Sequence, residues 1–115
     1  MTELPCVLLV LTSFPDATGA RKLAKMLVDA RLAACVSILQ GGTSIYRWQG
    51  KIETADEVPV LIKTTRQRYQ AVEQMIQSQH PYELPEVIAV PLDSGLPAYL
   101  QWITQVTTET NTLPE

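Results

Sequence analysis

The segment Gln79-His80-Pro81-Tyr82-Glu83-Leu84-Pro85-Glu86 concentrates chemistry: it packs the only histidine of the chain, a tyrosine, two acids and two prolines into eight residues. An imidazole beside carboxylates suits either metal ligation or general acid–base work. The other soft ligands are Cys35, Cys6 and three methionines. No CxxC, HxxxH or HxH spacing occurs, so no local chelate forms, and His80 and Cys35 stand as the candidate metal ligands. Cys35 reads more readily as a small buried hydrophobe on a strand, and Met26 and Met75 as core filler within helices. Acid–base chemistry would need His80 paired with Glu83 or Glu86. No nucleophile elbow, phosphate loop or zinc-protease motif accompanies it, and the reading is of a protein that is not an enzyme.

A second group lies around "SIYRWQGKIE", where Tyr46, Arg47, Trp48, Lys51 and Glu53 surround a hairpin tip. Tyr46 and Trp48 share a strand face because side chains alternate. Lys63 sits in "PVLIKTT", opposite in face to Val60 and Ile62, and an ammonium there calls for a carboxylate or ligand partner. A cleft between subunits lined by Tyr46, Trp48, Lys51, Glu53, Lys63, Tyr82, Glu86 and Trp102 would suit a small anionic ligand. The same residues read as interface anchors, since aromatics and Arg are enriched there.

The elements that must position these residues follow from periodicity. "CVLLVLTS" is a continuous apolar run and reads as a buried strand. Asp16 is the expected cap of a helix over "DATGARKLAKMLVDARLA", with Ala20, Leu23, Leu27 and Ala30 on its inner face. "AACVSIL" and "TSIYRWQ" form one arm of a hairpin, with a bulge or bend at Gly41-Gly42, and Gln49-Gly50 forms its turn. "KIETADEVPVLIKTT" returns as the second arm. Then come a helix over "RQRYQAVEQMIQSQ", capped by Thr65, a strand over "EVIAVPLD", and a last helix opened by Pro97. Pro81 stops the second helix at His80, and Pro85 prepares the strand entry.

This order is the split βαβ pattern of an α+β, ferredoxin-like sandwich with an antiparallel sheet: βαββαβ plus a C-terminal helix. The right-handed crossover places the return arm between the first two strands. Both faces of the first and last strands are apolar, yet helices in such a sandwich cover one. The uncovered face and the long hairpin predict a homo-oligomer.

The chain has 115 residues, suiting a single domain over 1–115 with a polar tail from about 108. With 46% hydrophobic and 18% charged residues it is not a disordered polymer. A net charge of -3 and the lack of a basic cluster exclude a nucleic-acid surface. The apolar run after "MTELP" has no preceding Lys or Arg and is too short to span a bilayer, which predicts no membrane insertion and a cytoplasmic location. Cys6 and Cys35 are then expected as thiols.

"RLAACVSI", "TSIYRWQGKIE", "EVPVLIKTT", "HPYELPEVIAVP" and "YLQWI" occur in this order and spacing. The sequence resembles the CutA family of divalent-cation tolerance proteins, over roughly Val7 to Trp102. The resemblance implies a homotrimer similar in architecture to PII signalling proteins, with sheets facing the centre. It implies a response to metal ions, with weak copper(II) or another divalent cation bound and none needed for folding. The alternative it implies is PII-like signalling through a small molecule held between subunits. Two departures bear on metal. Gln79 precedes His80 where some relatives have a second histidine, and Leu11 fills a region where some have a cysteine.

Overall fold

β1, Val7–Phe14, is bonded on both sides: to β4, Lys51–Thr65, along its whole length and to β5, Ile88–Pro91, over Leu8–Leu11. β2, Cys35–Ile38, takes the far side of β4, giving the order β2-β4-β1-β5 with every pairing antiparallel. The computed structural model describes residues 6–108 of the chain; the polar tail beyond them lies outside the described residues. As expected, the return arm separates the first two strands, and with them Cys6 and Cys35, both free thiols.

Registry divides the sheet into two faces. Val10 and Phe14 of β1, Val60 and Ile62 of β4, and Ala89 of β5 face α1, Ala17–Asp29, and α2, Arg66–Gln79. These helices supply Ala20, Leu23, Leu27, Val72 and Ile76, all with no exposed surface, and the layer closes into one core. The opposite face carries Leu9, Leu11, Leu61 and Lys63, all half-buried, with Ile88 and Val90 exposed at 54% and 47%. α3, Pro97–Val106, starts beside Lys63 and buries Ile103. The guanidiniums of Arg31 and Arg68 tie its C-terminal end, donating to the carbonyls of Val106 and Thr107.

The first hairpin arm is not one strand. β3, Gly42–Trp48, pairs with β4 in its own segment, and residues 39–41 stand between it and β2. Ile38 faces Val60 and Gly42 faces Glu57, so three residues on this arm oppose only Val58 and Pro59. One extra residue is the definition of a bulge. It takes in Gly41 of the expected Gly41-Gly42 and lies opposite Pro59, whose ring nitrogen has no proton to donate to a ladder. The turn at Gln49-Gly50 has φ of 50° and 81°, the positive pair that matches the twist of a two-residue hairpin.

Other boundaries differ from expectation. α1 stops at Asp29 instead of running on to Ala33, and Ala30 is an exposed C-cap. Arg31 adopts φ 59°, its amide donates to Val28, and the Leu32 amide reaches back to Leu27. That is a Schellman stop with arginine in the usual glycine position, so no sequence signal marked it. Asp16 caps the helix as expected, its Oδ1 accepting from the Gly19 amide at 2.8 Å. Thr65 occupies the N-cap of α2, but its side chain makes no capping bond. β5 is four residues, shorter than the apolar run, because Glu86 and Val87 have left the ladder with β1. Among the described residues no helix is long and apolar enough to cross a membrane.

Candidate functional site

The bulge decides which side chains meet. In β2, odd-numbered residues lie opposite odd-numbered residues of β4; after the bulge, even-numbered residues do so. Ser44, Tyr46 and Trp48 thus share a face with Glu57. Across from them runs the corner 81–88, which leaves α2 at His80 with ψ 136°. Between hairpin and corner lies an open groove of about 860 Å³. Tyr46, Trp48, Tyr82, Glu83 and Glu86 line it, and Glu57 joins them from the base of the hairpin.

Glu57 is 8% exposed, the most buried carboxylate of the described chain. A carboxylate so placed needs hydrogen-bond donors, and the Tyr82 phenol is the group that interacts with it. Burial, and then the interaction with Glu57 and its charge, push the Tyr82 phenol up to about 12. Glu57 was not singled out from sequence: in "TADEVPV" it looks like one more surface acid. The available signal was its place two residues before Pro59, opposite the expected bulge.

His80 holds the corner in place. Its Nε2 lies 2.6 Å from the Ser13 carbonyl, and its Nδ1 accepts from the Tyr82 amide at 3.1 Å. A carbonyl only accepts and an amide only donates, so the ring is the neutral Nε2–H tautomer. The imidazole lies between the Phe14 and Tyr82 rings, at centroid distances of 4.3 and 4.7 Å. The pairing with Glu83 or Glu86 that acid–base chemistry would need is replaced by these two backbone bonds.

The remaining predicted site residues are scattered within one chain. Cys35 faces Lys63 across the β2–β4 ladder, while His80 bonds to Ser13 at the other end of β1. The two candidate metal ligands are not brought together, and among the described residues no three His, Cys, Asp or Glu side chains cluster as a metal site. Lys63 finds neither a carboxylate nor the groove. Its Nζ donates to the Tyr99 hydroxyl at 3.2 Å and lies 5.4 Å from that ring's centre. This hydrogen bond raises the ammonium above its ordinary value, against the smaller effect of burial. Trp102 packs on Tyr99 at 5.5 Å, away from the groove. Lys51 and Glu53 stand exposed opposite Trp48 and Tyr46 and do not line the groove. Tyr46, Trp48, Tyr82 and Glu86 are therefore the part of the expected cleft that one chain assembles.

An antiparallel sheet with α1 and α2 on one face, an overhanging hairpin and this corner define a class of small α+β proteins with known members. The family model described as CutA1 divalent ion tolerance protein matches residues 8–106. The divalent-cation tolerance protein CutA of Thermus thermophilus is 43% identical over 98 residues, covering 85% of this chain and 95% of its own. Mouse Protein CutA is 46% identical over 93 residues, and there the match spans only 52% of the relative's length against 81% of this chain. Among solved structures, CutA from Xylella fastidiosa superposes with a TM-score of 0.86 at 46% identity, covering 89% of this chain and 98% of that one. The structure described as a periplasmic divalent cation tolerance protein CutA from Archaeoglobus fulgidus gives 0.86 at 31% identity, covering 89% and 99%. The chain belongs to the CutA1 family of divalent ion tolerance proteins.

Proposed function

We propose that this chain serves divalent-cation tolerance as a cytoplasmic homotrimer that takes copper(II) weakly and catalyses no reaction of its own. The observation that carries the assembly is the sheet face away from α1 and α2. Ile88 and Val90 are exposed there beside the half-buried Leu9 and Leu11, an apolar surface of the kind that a partner covers. Exposed Ile45 and Ile52, at 70% and 68%, add apolar area on the hairpin. The number three rests on the family resemblance. Two free thiols, one just before β1 and one on β2, which is not its neighbour, suit a reducing compartment.

Weak copper binding follows from the state of His80. The described residues do not form a resident-metal site within one chain. A metal at Nδ1 must displace the Tyr82 amide, losing a hydrogen bond that contributes about 1 kcal/mol, and it finds no second soft ligand nearby. Light scattering on the purified protein, combined with calorimetric titration of copper(II), tests the reading. A monodisperse monomer at micromolar concentration would sink the assembly, and a tight stoichiometric copper site would sink the weak-binding account.

A second reading, small-molecule binding of a PII-like kind, is favoured by one observation: the buried carboxylate of Glu57 opens onto a groove of ligand size. Mass spectrometry of small molecules released from the native protein tests it; none above background in freshly purified material would count against it.

A further inference from the structure

We propose that the groove between the hairpin and the 81–88 corner binds small organic cations, with an ammonium or guanidinium head seated against Glu57. This rests on the small-molecule reading and names the class of ligand.

Charge is the first ground. Glu57, Glu83 and Glu86 line the groove, and neither Lys nor Arg does. Of the charged side chains that line it within one chain, an anion meets carboxylates alone. Lys63, the cation on which an anion site would have been built, is bonded to Tyr99 elsewhere.

The second ground is the unfilled capacity of Glu57. An ionised carboxylate offers about four acceptor positions, and its neighbour here is the uncharged Tyr82 phenol. An uncharged apolar occupant would strip water from a carboxylate that is already 8% exposed and give nothing in return. A cationic head supplies both charge and N–H donors.

The walls are the third ground. Tyr46, Trp48 and Tyr82 all line the groove, and aromatic faces attract cations through their quadrupole, Trp most strongly. A bare divalent ion would require converging ligands, and no three acidic, His or Cys side chains cluster among the described residues. An organic cation needs one counter-charge and aromatic faces, and both are present.

The test uses the full chain carrying Trp102→Phe, which leaves Trp48 as the sole tryptophan. Choline and agmatine are titrated by fluorescence alongside dimethylbutanol, the neutral carbon isostere of choline, and succinate. Saturable Trp48 signals are expected for choline and agmatine, with the isostere and succinate weaker by about tenfold or more. Glu57→Gln should weaken choline by about tenfold or more with the oligomer intact. If that variant unfolds, Tyr46→Leu takes its place and should weaken choline without changing the fold. Saturable binding of succinate or dimethylbutanol as tight as that of choline overturns the cationic class and leaves a small-molecule site. No saturable signal from any of the four overturns both.

Discussion

The Tyr82 phenol interacts with the buried carboxylate of Glu57, joining the corner after α2 to the base of the hairpin. The two residues are 25 positions apart, and the contact bridges the elements that form the two walls of the groove (82 − 57 = 25). Burial, and then Glu57, favour the neutral phenol, so the folded chain holds that proton more tightly than the unfolded chain does.

The alkaline limb of stability should report this interaction. With the phenol at about 12 in the fold against 10.0 unperturbed, its contribution is whole below pH 10 and is lost as pH rises towards 12. Lys63 and Tyr69, also raised, titrate in the same direction. Denaturant melts of wild type and Tyr82→Phe across this range separate them. The variant should be less stable by about 1–3 kcal/mol at neutral pH and should lose part of the alkaline slope. Equal slopes would show that Tyr82 is not held by Glu57.

His80→Ala removes two backbone hydrogen bonds and the ring between Phe14 and Tyr82. A loss of about 2–4 kcal/mol is expected by denaturant melt. The weak copper(II) binding should fall with it, and in the wild type it should fade as the medium is acidified, because a protonated imidazole cannot ligate. A folded His80→Ala protein that binds copper as wild type does would place the metal elsewhere.

Lys63→Met should act on stability and not on the groove. The change removes the Tyr99 hydrogen bond and the ammonium near its ring, worth about 0.5–1 kcal/mol at a partly exposed position. A small fall in melting temperature is expected, with the Trp48 response to choline unchanged. A lost choline response would show that Lys63 reaches the groove in the assembled protein.

Val90→Asp places a charge on the sheet face away from α1 and α2. Burying it against another subunit would cost several kcal/mol, so the assembled protein should dissociate by light scattering while retaining its far-ultraviolet spectrum. An unchanged mass would place the interface elsewhere.

The sequence by itself determined the elements whose signals are local. Gln49-Gly50 marks the hairpin turn because only a short list of residues accepts two positive φ angles. Pro81 stops α2 at His80, and the bounds of β4 and α2 were legible to the residue from apolar periodicity and a following proline. The strand order followed from the handedness of crossovers. What only the tertiary structure decided depends on partners distant in sequence. Arg31 ends α1 in a left-handed conformation that no glycine announced, held by bonds to Val28 and Leu27. Lys63 took a tyrosine from α3 as its partner where a carboxylate or a ligand was expected. Glu57 became the centre of the groove because one extra residue at 39–41 turns Tyr46 and Trp48 onto its face. A strand's side chains alternate with period two, so a shift of one residue exchanges the two faces. The sequence suggested that a bulge would occur, but its position opposite Pro59, and with it the face that meets Tyr82, is settled only when β4 pairs.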